Sequence, residues 1–458
     1  MPLKTVLFLG LFVVCAAGAP MMPILGVLGY MGHYCTGPEF QWWAAPLRPW
    51  GIRYSFLLAL ATAVGLARNH RNWAFGKSLL TGQEKMMLLF LGIAWLSVAI
   101  GEDSSWQETM GDDPYCWKLT KVIIFALMLS HIVTNMTNLN WVLWLFVVSS
   151  LMLGVQAYDA AHAGLVSEAG RLESVGGPDF HESNFLAGFL GAMLPLIGVQ
   201  FLRTSWLGKA LCLFAGVFAA NAIVLTRSRG GLVGIAIGCV AAVVLSPKKH
   251  RVKILAGLVV ALLGGIYLVD PQFAGRASTI AAPEDEMDTS ARSRVEIWQG
   301  GVEMLLANPM GVGAGNFTRA IERYAPQHPL RDAHNTFVRC AGELGFPGLI
   351  LLTVMVGNAL WTLRRVIREA RALPESHGDE VVLAAYGMTV GLVTLLGTGL
   401  TTSMVYTEAL WWFLVLPVCL ERVAENTAAE LGLVRAYARP AAEGGRKRVP
   451  NGLKKASA

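Results

Sequence analysis

The sequence predicts an all-α polytopic membrane protein, with about 12–13 transmembrane helices and one large helical loop. Three observations carry this. Over 458 residues, 54% are hydrophobic and only 15% are charged, whereas a soluble domain carries roughly 25% charged residues. Many apolar runs approach or exceed the roughly 17–20 residues a helix needs to cross the hydrocarbon core. These runs are continuous rather than alternating. Lipid leaves free backbone groups unsatisfied, so they must be helices and not barrel strands.

Apolar segments occur at 3–18, 20–34, 53–67, 86–101, 118–134, 139–156, 184–202, 208–226, 230–246, 252–270, 345–361, 381–400 and 404–420. The first two hinge at Gly18-Ala19-Pro20 and read as a short helical hairpin. Although Met1-Pro2-Leu3-Lys4 and its apolar run resemble a signal peptide, no soluble domain pattern follows, so the run reads as a first membrane segment. The chain then divides into N-terminal membrane helices (1–183), central membrane helices (184–270), a polar loop (271–333), C-terminal membrane helices (334–420) and a basic tail (421–458).

The net charge of +6 records orientation rather than a nucleic-acid footprint. Basic residues gather around 68–85, 203–209, 248–253 and 364–371 and in the tail. Counting segments puts all of these on one face, which the positive-inside rule makes cytoplasmic. The opposite loops are 35–52, 102–117, 157–183 and 271–333. Of the seven cysteines, Cys15, Cys212, Cys239 and Cys419 lie in apolar runs and read as small buried hydrophobes. Cys35 and Cys116 fall in two outer loops, where a disulfide between them is compatible with an oxidising compartment. No cysteine spacing suits a metal site.

The outer loop 271–333 carries Arg276, Arg292, Arg294, Arg319, Arg323 and Arg331, which orientation does not explain. Within it, Asp288 to Leu306 reads as an amphipathic helix stopped by Asn308-Pro309. Val295, Trp298, Val302 and Leu305/Leu306 recur at three-to-four spacing, and Arg294 sits one turn from Trp298. The Gly311 to Gly315 run reads as a flexible loop. It lacks the Lys-Ser/Thr of a phosphate loop and does not follow a strand. Thr226-Arg227-Ser228-Arg229 places two arginines at a membrane boundary, where charge is costly and marks function or snorkels to lipid phosphates. His181 and Glu182 precede the helix at 184, where a turn and cap and a substrate contact are equally compatible readings.

The candidate constellation is therefore Arg227, Arg229, Arg292, Arg294, Trp298, Arg331, His334 and Asn335, with His181 beside it. Arginines grip phosphate through forked, charge-assisted hydrogen bonds. His334 is suited to acid–base work near neutral pH.

His334-Asn335, nine residues, then Gly345-Phe346-Pro347-Gly348 resembles the signature of the O-antigen ligase superfamily. So do Ser228-Arg229-Gly230 and Arg294-x-x-x-Trp298 followed by Asn308-Pro309-Met310-Gly311. Gly177 to Pro195 and Tyr324-Ala325-Pro326 are most similar to the O-glycosylation ligases found with exosortase systems. The resemblance implies a fold related to C-type membrane glycosyltransferases. It implies an undecaprenyl-diphosphate-linked glycan donor, an acceptor that is lipid A core, protein or another glycan, and a site facing the periplasm from the bacterial inner membrane. It implies no nucleotide sugar, cofactor or essential metal. His334 would take the acceptor hydroxyl proton or orient it, while Arg229 and Arg294 would bind the diphosphate and stabilise the leaving group. Asn335, Trp298, Arg227 and His181 would complete substrate binding, with Arg292 and Arg331 as further diphosphate ligands. A polymerase with the same donor chemistry fits equally. A polyprenyl-glycan transporter fits less well, because the apolar segments show no inverted repeat.

Overall fold

The structure is a computed structural model that describes residues 1–69, 79–101, 109–110, 113–167, 170–172, 175–269, 274 and 289–433. Arg71, Lys77, the acids of 102–108, Arg276, the acids at 284–288 and the tail beyond 433 lie outside the described residues. Each apolar segment read from the sequence coincides with a helix. These are α1 (Leu3–Gly18), α2 (Pro23–Thr36), α3 (Tyr54–Arg68), α4 (Gly82–Ile100), α5 (Tyr115–Ile132), α6 (Met136–His162), α7 (Ser183–Arg203), α8 (Trp206–Thr226), α9 (Arg229–Val244) and α10 (Arg251–Leu268). After the outer loop's α11 (Thr289–Ala307) and α12 (Phe317–Ala320) come α13 (Thr336–Glu369), α14 (Glu375–Gly399) and α15 (Glu408–Glu430).

Among the described residues, eight helices are long and apolar enough to cross a membrane. They become nine if the bent pair Trp42–Trp50 and Tyr54–Arg68 is one span. The others fall short for stated reasons: α1 and α9 are apolar but have 16 residues each, α2 has 14, and the second half of α15 is charged. A two-residue antiparallel ladder pairs Thr109–Met110 with Asp113–Pro114.

The core forms around α15, where Trp411, Trp412 and Phe413 are fully buried. Small residues let the helices close on it, as is usual in lipid, where packing replaces hydrophobic drive. A Cβ at Gly234 of α9 would lie 2.1 Å from the Thr398 hydroxyl of α14, and one at Gly238 would lie 2.0 Å from that of Thr394. In contrast, α10 buries no residue. Thr81 and Glu84 form a capping box that starts α4. The basic loops meet at one end of the bundle, where Lys249 pairs with Glu375 (2.9 Å), His250 with Asp379 (2.9 Å) and Arg422 with Glu84 (2.9 Å).

Two expectations are corrected here. Cys35 and Cys116 are not loop residues and are not bonded. They are free, buried thiols within α2 and α5, and the Cys116 thiol donates to the Ala94 carbonyl at 3.5 Å. Helix packing, rather than a covalent bond, holds them. The Gly311–Gly315 run is not a flexible loop either. Every residue of it is buried, and its N–H groups are used: Val312 donates to Gly342 (2.9 Å) and Gly313 to Glu343 (3.0 Å).

Candidate active site at one end of the bundle

His334 is presented by an interlock of three pieces. Asn335 caps α13, its side-chain oxygen accepting the N–H groups of Phe337 (2.9 Å) and Val338 (3.1 Å). Ten residues later α13 breaks at Gly345, which has φ 65 and ψ −165, a region essentially reserved for glycine. The Gly311 run docks into this break. Phe346 N–H donates to the Pro309 carbonyl at 2.9 Å, and a Cβ on Gly345 would lie 2.2 Å from that oxygen. The His-Asn-x9-Gly spacing is thus a cap, a nine-residue helix and a locked kink.

The third piece is α11, which forms as the sequence predicts. Its buried stripe differs from the expected one. Leu305 is buried as expected, but Ile297 and Met304 point inward with Phe317, Ile321, Ala325 and Ala333 in a small core separate from the bundle, whereas Val295, Val302 and Leu306 are exposed. The reason is Gly300 and Gly301, whose missing side chains admit Ala325 and Val338. Trp298 fastens the His loop to this helix, because its indole N–H donates to the Ala333 carbonyl at 2.8 Å. His328 adds a second tie to Glu296 at 2.6 Å. The hydrogen bonds from His328 and Gln327 hold the Glu296 carboxyl below its usual range.

His334 itself has φ 44, a left-handed backbone uncommon for a residue with a side chain. Asp332 stabilises it by accepting the His334 N–H at 2.9 Å, as an Asx turn does. Asp332 is held in turn by Arg339 of α13 (2.8 Å), whose Nε reaches Glu343 at 3.0 Å. That guanidinium lies over the rings of Tyr115 (4.7 Å) and Tyr406 (5.5 Å), and the Tyr406 hydroxyl donates to Glu343. Burial alone would raise the Asp332 carboxyl, but the Arg339 charge, His334 and hydrogen bonds outweigh it and keep the pKa below the ordinary value. Among the described residues His334 Nδ1 has no hydrogen-bond partner, and it lies 3.7 Å from both Glu182 and Asp332.

His334 and Glu182 open onto a cavity of about 550 Å³, also lined by Arg171, His181, Asn184, Arg294 and Arg331, among others. It sits at the N-terminal end of α7, whose free N–H groups carry partial positive charge. Asn184 links its walls, accepting the Ser228 hydroxyl (2.7 Å) and Arg171 (2.9 Å) and donating to Glu182 (3.1 Å). Burial pushes the His181 imidazole below its ordinary pKa, opposed by a backbone hydrogen bond to Gly176 and the Asp179 charge. Its ring meets Phe40 edge-on at 4.9 Å. Among the described residues, no group of three His, Cys, Asp or Glu side chains is disposed to hold a metal ion.

Of the residues singled out in the sequence, His334, Arg294, Arg331 and His181 line this cavity. The others lie around it. Ser228, the cap of α9, accepts the Gly231 N–H at 2.9 Å, so Arg229 opens that helix one residue from the Ser228–Asn184 bond. Arg227 caps α8 in a left-handed conformation (φ 48) and donates to the Gly170 carbonyl. Arg292 is an exposed residue of α11 whose charge helps hold Glu296 ionised. Asn335 uses its side chain on the cap and on the Leu400 carbonyl (3.0 Å), and Trp298 uses its N–H on Ala333. Arg171, Asp332, Arg339 and Glu343 were missed. The i,i+4 pair Arg339–Glu343 at a membrane entrance was a readable signal, since such charges are expensive unless paired. Arg171 gave none.

Residues 214–353 match a family model described as O-antigen ligase. The chain is also similar to the exopolysaccharide production protein ExoQ of Rhizobium meliloti (strain 1021), with 27% identity over 245 residues. That alignment covers 50% of this chain and 53% of the relative, so the chain spans about half the length of the protein it matches.

Proposed function

We infer that this chain, which belongs to the O-antigen ligase and polymerase superfamily, is a membrane glycosyltransferase that moves a glycan from undecaprenyl diphosphate to an acceptor hydroxyl. The observation that supports this best is the cavity where His334 and Glu182 meet three arginines, with Asp332 3.7 Å from His334 Nδ1 behind it. The gathering of the basic loops at the opposite end of the bundle supports a reading in which the cavity faces the periplasm from a bacterial inner membrane.

The chemistry follows from charge. With its hydrogen on Nδ1, between Glu182 and Asp332, His334 keeps a lone pair on Nε2. As the acceptor oxygen bonds to the anomeric carbon, Nε2 takes the hydroxyl proton. The bond from that carbon to the phosphate oxygen breaks, and undecaprenyl diphosphate leaves with the electron pair. Arg294 and Arg331 stabilise the charge that develops there. Arg229, coupled to the cavity through Ser228 and Asn184, is assigned to the same diphosphate. Trp298 and Asn335 act as positioning residues for His334.

The name of the ExoQ relative favours a second reading, in which the acceptor is another lipid-linked repeat unit and the enzyme is a polymerase. Purified protein supplied with a lipid-linked glycan and each acceptor class tests both readings. Release of undecaprenyl diphosphate is expected, with loss of about 100-fold or more in His334→Ala, the scale of a positioned proton-transfer group. Equal release by wild type and His334→Ala would sink the assignment. The acceptor that acquires the glycan separates ligase from polymerase.

A further inference from the structure

Arg171 lines the cavity from a short hairpin. Gly170 turns the chain with φ 67, its N–H donates to the Ser167 carbonyl (2.7 Å), and Ser167 N–H donates to the Arg171 carbonyl (2.8 Å). The hairpin is fastened from behind. Leu172, fully buried, donates its N–H to the Leu225 carbonyl at 3.3 Å. The Ser183 hydroxyl donates to the Leu172 carbonyl at 2.6 Å, and the Arg227 guanidinium donates to the Gly170 carbonyl. Arg171 itself donates to Asn184 Oδ1 (2.9 Å) and to the Thr226 carbonyl (3.4 Å). The guanidinium is a rigid planar fork, so these two contacts orient its plane.

We propose that Arg171 is a phosphate-binding residue of the donor site. With Arg294 and Arg331, which line the same cavity, it grips the diphosphate of the lipid-linked donor, and Arg227 serves behind it as a strut for the hairpin. Asn184 ties this cation to Ser228 and so to the helix that Arg229 opens. The proposal rests on the donor reading above and adds a residue to it.

The test uses full-length protein in nanodiscs with undecaprenyl diphosphate as probe. Arg171→Gln is expected to bind it about tenfold or more weakly, the scale of one lost charge-assisted hydrogen bond, with an unchanged thermal midpoint. Arg227→Gln is expected to lower the midpoint. A second measurement needs no variant. In the wild type, undecaprenyl diphosphate should shield Arg171 from phenylglyoxal modification, read by mass spectrometry, whereas undecaprenol should not. Wild-type affinity in Arg171→Gln, or an unshielded Arg171 in lipid-bound wild type, overturns the proposal. Equal shielding by inorganic diphosphate overturns its assignment to the lipid-linked donor. Failure of the wild type to bind undecaprenyl diphosphate at all overturns the donor reading instead.

Discussion

Replacing Arg339 by methionine tests the support beneath His334. Arg339 is 6% exposed and bridges Asp332 (2.8 Å) and Glu343 (3.0 Å). Two tyrosine rings flank it. Methionine fills most of the volume, so the cavity cost is small. The electrostatic cost is large, because two carboxylates lose their shared cation and Glu343 is fully buried. Removing one partner of a buried ion pair costs about 3–5 kcal/mol. The lost cation–π contacts, worth about 2 kcal/mol when desolvated, are part of that figure. A loss of this size is a large fraction of a typical folding free energy of about 5–15 kcal/mol. Denaturant unfolding in mixed micelles measures it, and glycan transfer reports on His334. Adding Glu343→Gln should recover part of the loss, with a coupling of about 0.5–3 kcal/mol. If Arg339→Met stays within about 1 kcal/mol of wild type, less than the buried-pair range, the network does not hold the site. Strict additivity with Glu343→Gln would refute the charge argument.

Three further outcomes are expected. Gly345→Ala should lower the thermal midpoint and the turnover together, since left-handed strain of about 1–3 kcal/mol adds to a Cβ placed 2.2 Å from the Pro309 oxygen; a variant as stable as wild type would show that the kink is not locked. Trp298→Phe keeps the ring but orphans the Ala333 carbonyl, costing about 1–3 kcal/mol, and should reduce turnover more than undecaprenyl diphosphate binding. An effect on binding alone would make Trp298 a substrate contact rather than a positioning residue. Asp332 has a depressed pKa in the folded state, so its contribution is present above the ordinary value of about 3.9 and is lost as pH falls through the folded value. The stability gap between wild type and Asp332→Asn should therefore be full near neutral pH and close in strong acid, as read by pH-dependent unfolding.

Much of the architecture was legible because lipid permits few alternatives. A long apolar run must be a helix, so every predicted segment coincides with one. The helix Thr289–Ala307 was equally legible from its start and its Asn-Pro stop. Its buried face was legible only in part: Leu305 is buried as expected, but Ile297 and Met304 rather than Val295 and Val302 fill the inner stripe, since Gly300 and Gly301 turn that side toward Ala325 and Val338. The cysteine pair misled for a related reason. Spacing alone placed Cys35 and Cys116 in loops, while packing drew each into a helix.

By itself, the sequence determined the class of fold, the placement of the helices and the presence of a cationic, histidine-bearing loop, since these follow from local composition and the cost of burying unpaired backbone in lipid. Tertiary structure decided which side chains share one cavity. Arg171, Glu182, Arg294 and His334 come from four separate elements. Their meeting depends on how α7, α11 and α13 pack and on the lock between Gly311 and Gly345. No local pattern encodes those distances. Tertiary structure likewise divided the arginines by task, turning Arg227 toward a backbone carbonyl and Arg339 toward the acids beneath the histidine, because a guanidinium's role is set by the acceptors its fork can reach.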